Sequence, residues 1–90
     1  MDKYNRGFYV MVFSSANHSI QTEKKARERF RITVIPTPRE IASDCGLAIK
    51  FLDTEISAIK TFHNSLTIPA DLYLLSNEKI GEKREVEKVL

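Results

Sequence analysis

Phe8-Tyr9-Val10-Met11-Val12-Phe13 is an unbroken apolar run rich in aromatic and β-branched residues, and its reading decides the fold. A run this short and this apolar is expected of a central strand covered on at least part of both faces. It is therefore read as the middle of a sheet. Immediately downstream, Ser14-Ser15-Ala16-Asn17 offers N-cap residues, and no Gly or Pro interrupts the polar stretch to Arg31, which predicts a helix. The apolar face of that helix is thin. At about 100° per residue, Ala16, Ile20, Ala26 and Phe30 share one arc, with Glu23 in its middle. An inward acid is expected either to reach the edge along its own stem or to meet a cation such as Arg39 across the fold.

Further along, Ile32-Thr33-Val34-Ile35 predicts a short strand, which Pro36 and Pro38 stop. Thr37-Pro38-Arg39-Glu40 then has the pattern of a capping box with proline at the first helical position, so one helical turn is expected. That turn is short, because Asp44-Cys45-Gly46 leads straight into Leu47-Ala48-Ile49-Lys50-Phe51, whose alternation reads as a half-buried strand. Asp53-Thr54 supplies an N-cap for a second helix lined by Ile56, Ile59, Phe62, His63 and Leu66. His63, at the edge of that stripe, is expected to be packed and hydrogen-bonded, and His18 falls in the first turn of the first helix.

Ile68-Pro69 ends the second helix and Asp71 to Leu75 forms a last short strand. Glu82 to Leu90 is expected to form a terminal helix displaying Val86, Val89 and Leu90. The resulting order is βαββαβ plus a tail. Split βαβ units of this kind close into an α+β ferredoxin-like sandwich, a four-stranded antiparallel sheet with two helices on one face. Residues 1–90 are expected to be a single domain with its core at about 8–75 and a polar, helical tail at 76–90. No repeats or linkers divide the chain.

Ninety residues support one small core, burying about 60 to 65 per cent of the surface the unfolded chain exposes. Such a domain gains from self-association, so a homo-oligomer is among the expected assemblies. Fourteen Lys and Arg against twelve Asp and Glu give a net charge of +2, and the two signs are interleaved. The cluster Lys24-Lys25-Ala26-Arg27-Glu28-Arg29 is spread around a solvated helix, so no nucleic acid partner is expected. No apolar run approaches the roughly 20 residues that span a bilayer, and no secretion signal opens the sequence, which points to no membrane association and a cytoplasmic protein. One cysteine and two histidines lack metal-site spacing, so neither a metal nor another cofactor is expected.

Chemistry therefore falls to the single cysteine, Cys45. It has an acid before it and a glycine after it at a loop-to-strand junction, a setting that admits some exposure, although a lone cysteine in a small protein is more often an inert, half-buried residue. Only a few per cent of an unperturbed thiol is ionised at neutral pH, so a cation or backbone N–H donors would help. Arg39 is the nearest cation of the motif in sequence, and the backbone amides of Gly46 and Leu47 are candidate donors. Asp44 opposes ionisation unless its side chain turns away.

These residues also carry a likeness. The strand end Val10-Met11-Val12-Phe13-Ser14, the helix start Asn17-His18-Ser19-Ile20, Glu23-Lys24, and above all Pro36-Thr37-Pro38-Arg39-Glu40-Ile41 followed by Cys45-Gly46-Leu47-Ala48 resemble the DUF3343 family of selenium or sulfur carrier-like proteins. The likeness covers roughly residues 8 to 75. The chain departs from it in the first helix, with Lys25 and Arg27 at more apolar positions and Phe30-Arg31-Ile32 in place of a glycine before the isoleucine. Such proteins occur alone and fused behind a sulfurtransferase-like domain.

The resemblance implies a carrier in which Cys45 accepts sulfur or selenium as a persulfide or selenopersulfide. The donor would be a protein such as a cysteine desulfurase, and the acceptor a second protein. A competing reading is a small interaction or regulatory module in which Pro36, Pro38 and Gly46 shape the loop, Arg39 pairs with Glu23 or Glu40, and Cys45 only packs. An enzyme is the weakest reading, because no base, metal cluster or phosphate-cradling loop accompanies the thiol.

Overall fold

Gly7–Val12 forms strand β1 in the computed structural model, which describes residues 7–41, 46–52, 55–81 and 83–90. It is followed by helix α1 (Ala16–Arg27), strands β2 (Arg31–Pro36) and β3 (Leu47–Leu52), helix α2 (Ile56–Asn64), and strands β4 (Asp71–Ile80) and β5 (Lys83–Lys88). All pairings are antiparallel in a five-stranded sheet of order β2-β3-β1-β4-β5. As expected, β1 and β3 are central neighbours, with Met11 opposite Ile49, and β3 is inserted between β1 and β2 as the split βαβ arrangement requires.

The period of two along each strand divides the apolar residues between two faces. Tyr9, Met11, Ile49, Phe51 and Leu72 share one face with Ala26 of α1 and Ile59 and Phe62 of α2, so both helices lie on the same side. Ile56 and Leu66 pack around that cluster, and Phe30 sets its ring edge-on to both Phe51 and Phe62 at 5.4 Å. The opposite face carries Val10, Val12, Ala48 and Leu75, also buried, although no helix among the described residues covers it. Ile41, from the loop after β2, is buried against it instead. That explains why β1 is apolar at every position: each of its faces meets a core. Among the described residues no helix is long and apolar enough to cross a membrane.

Three expectations need correction. The sheet has five strands rather than four, because the tail forms a strand and not a helix. Gly81, with φ of 69°, reverses the chain after β4, and Val86 opposite Leu75 then lands on the helix-free face. A helix at these positions would have left the outer edge of β4 unpaired. Beyond β5, Val89 N–H donates to the Leu72 carbonyl at 2.8 Å, holding the end of the chain against β4.

The buried face of α1 is also different from the expected one. Ser15 caps the helix, its hydroxyl accepting from His18 N–H at 3.3 Å, but Ser19, Thr22 and Ala26 face the sheet while Ile20 is 47% exposed. Small residues let the helix approach the sheet closely, and the Ser19 hydroxyl is satisfied by donating to the Ala16 carbonyl at 2.8 Å. Glu23 accordingly turns outward and accepts from Arg27 Nε at 2.7 Å, one helical turn away. It does not pair with Arg39. Finally, α2 begins at Glu55 as N-cap, whereas Asp53 and Thr54 lie outside the described residues.

Candidate functional site

The proline-rich segment after β2 folds back over the helix-free face. Pro36 still pairs with Leu47, and Thr37 N–H donates to the Gly46 carbonyl at 3.0 Å, carrying the β2–β3 ladder one step further. The expected single turn follows, with Ile41 N–H donating to the Pro38 carbonyl at 3.0 Å, and Ile41 closes against the sheet. Burial of that one side chain, stabilising by about 1.5 to 3 kcal/mol, is what fastens the turn to the face. Cys45 lies outside the described residues; its neighbour in sequence, Gly46, is exposed.

Between this segment and the sheet lies a cleft of about 420 Å³. Its apolar side is made by Phe8, Ile35 and Leu75, and its charged side by Arg39, Lys50, Arg84 and Glu40. Lys50 Nζ sits 4.3 Å from the centre of the Phe8 ring, and the Arg84 guanidinium carbon 5.2 Å from the same ring. Both cations are held there by the negative face of the aromatic ring. Arg84 is anchored further: its Nη1 donates to the Ser76 carbonyl at 2.8 Å and to the Asn77 carbonyl. Glu40 ties the loop to β5 by accepting the Arg84 backbone N–H at 2.8 Å.

Of the residues singled out in the sequence, Pro36, Pro38 and Arg39 line this cleft, Arg39 being exposed. Gly46 contributes its carbonyl to Thr37; it has no positive φ, and no described atom lies within 4 Å of where a Cβ would stand. Leu47 is 40% exposed at the start of β3. Glu23 stands on α1 in its pair with Arg27 and does not line the cleft. His63 behaves as expected, its Nε2 lying 2.6 Å from the Ala70 carbonyl.

The sequence reading missed Phe8, Lys50 and Arg84 as parts of one site. Lys50 did leave a signal, as the one charge within the strand Leu47–Leu52. Arg84 left none, since its place depends on a β-hairpin that the charged tail disguises.

A family model described as "Putative Se/S carrier protein-like" matches residues 8–73, well over half of the chain. No curated protein and no solved structure matches it.

Proposed function

The chain belongs to the Se/S carrier protein-like family, and on that premise we propose that it carries one sulfur or selenium atom on the side chain of Cys45. The observation that carries this reading is the family match itself, whose span of residues 8–73 contains the chain's single cysteine. One thiol is sufficient for a carrier. In the loading step the Cys45 thiolate attacks the terminal sulfur of a persulfide on a donor protein such as a cysteine desulfurase. The new S–S bond forms at Cys45 as the donor's S–S bond breaks, and the donor cysteine leaves as a thiolate with the electron pair. No external oxidant or reductant is consumed. Delivery is the same exchange in reverse, with an acceptor nucleophile attacking the outer sulfur or selenium.

The geometry around the motif supports this chemistry in one respect. Arg39 is exposed six residues before Cys45 in the chain, and in this reading its charge favours a thiolate and its anionic cargo. A thiol that must stay reduced between transfers suits a reducing compartment, the cytoplasm.

Loading is tested by incubating reduced protein with a cysteine desulfurase and cysteine. Mass spectrometry should find one added sulfur atom on Cys45, removable by reductant and absent from Cys45→Ser. If folded protein resists both persulfidation and alkylation while unfolded protein accepts them, the cysteine is a packing residue and the module reading replaces the carrier.

A further inference from the structure

We infer that the cleft on the helix-free face is a binding site for a small organic anion, one with a sulfonate or carboxylate head on a short apolar body. This goes beyond the carrier reading and does not depend on Cys45. Among the described residues, Arg39, Lys50 and Arg84 set three positive charges around the cleft against one carboxylate, Glu40, whose Oε2 accepts the Arg84 backbone N–H. The electrostatic balance therefore favours an anion.

Two of the cations are held in place before any ligand arrives. Arg84 is fixed by the Ser76 and Asn77 carbonyls through a single nitrogen, which leaves the other donors of its five N–H fork for a ligand. Lys50 lies over the Phe8 ring, which accepts no conventional hydrogen bond from its three donors. A half-buried ammonium on an aromatic face has given up part of its water, so an oxyanion gains a partner at less cost than it would on an open surface.

The apolar requirement comes from the floor. Phe8, Ile35 and Leu75 present hydrocarbon beside the cations, and a volume of about 420 Å³ is in the range of small-molecule sites rather than of a single inorganic ion. A bare sulfate would meet the charges but leave that surface wet. A ligand with both parts would satisfy head and body together.

The test uses the full chain carrying Cys45→Ser, so that its outcome is separable from failure of the carrier reading. Propanesulfonate is titrated while backbone amide resonances are followed by NMR, with sulfate and propylamine as comparisons. Saturable shifts should centre on the amides of Phe8, Lys50 and Arg84, with sulfate weaker and propylamine silent. Lys50→Gln should weaken propanesulfonate by about tenfold, the scale of one charge-assisted hydrogen bond, and Lys50→Arg should restore most of it. Arg39→Gln, at an exposed position, keeps the fold and should weaken binding severalfold. The inference is overturned by shifts that do not saturate, by shifts that centre on the basic cluster Lys24, Lys25, Arg27 and Arg29, or by an affinity of Lys50→Gln and Arg39→Gln equal to that of the parent protein.

Discussion

Gly7 shows how much a single position can constrain this sheet. A Cβ placed there would come 2.1 Å from the Leu75 carbonyl oxygen, which is backbone and cannot swing aside. Gly7→Ala should therefore lower the stability of the protein by about 2 kcal/mol or more, read as a shift of the urea midpoint. An unchanged midpoint would mean that β1 and β4 do not approach as closely as described.

Two positions over, Tyr9 is buried among the helices, and burial, with a smaller contribution from the charge of Glu87, raises its phenol above the usual 10.0. The unfolded chain then loses this proton at lower pH than the folded protein, so stability is unaffected below about pH 10 and falls as pH rises through and beyond it. Tyr9→Phe should flatten that alkaline decline in denaturant titrations repeated from pH 8 to 11. A slope identical to that of the unmodified protein would contradict the assignment. Arg39 belongs to this scale as well. If its charge assists the thiolate, Arg39→Ala should slow alkylation of Cys45 severalfold at low salt with little change in melting temperature, and Arg39→Lys should lie between. Equal rates in all three would remove Arg39 from the site.

Among the elements, the contact between the loop after β2 and strand β5 joins segments 44 residues apart in the chain. Glu40→Ala removes the acceptor of the Arg84 N–H and should cost about 1 to 2 kcal/mol, with faster hydrogen exchange at the Arg84 amide as the specific mark. Unaltered exchange there would show that Glu40 does not hold β5. The same element shows where the sequence was legible and where it was not. Strand β1 declared itself by its continuous apolar run, and strand β3 and helix α2 by one dominant hydrophobic period each; the helix face of Ile56, Ile59, Phe62 and Leu66 is the observed one.

Helix α1 misled because the approach of helix to sheet selects small residues, so Ser19 and Thr22 are buried while Ile20 is exposed, the reverse of a hydrophobicity ranking. Strand β5 misled because its residues are mostly charged and Val86, Val89 and Leu90 also fit a helical spacing. Only Gly81, at its positive φ, marked the reversal that creates the strand. The cleft was half legible. Its proline and arginine side is a local motif, while its lysine and second arginine come from β3 and β5, and only strand pairing brings them to the motif.

At the scale of the molecule, the sheet separates two tasks. One face is occupied by both helices and most of the aromatic core, and on the other, among the described residues, the segment after β2 packs through Ile41 and lines a charged cleft. The radius of gyration, 12.3 Å, is close to the roughly 12 Å expected for a folded chain of this length, in keeping with a tail that pairs along β4 rather than projecting from it. For a chain with one cysteine, loading alone does not distinguish a carrier from any reactive thiol. Release does. The decisive measurement is onward transfer: protein loaded with radiolabelled sulfur on Cys45 is freed of donor and mixed with reduced candidate acceptor proteins, and the label is followed by non-reducing electrophoresis. The account predicts that label leaves Cys45 for an acceptor faster than it is lost to a small thiol at equal concentration. Label that stays on Cys45, or that passes to small thiols and proteins alike, would contradict it.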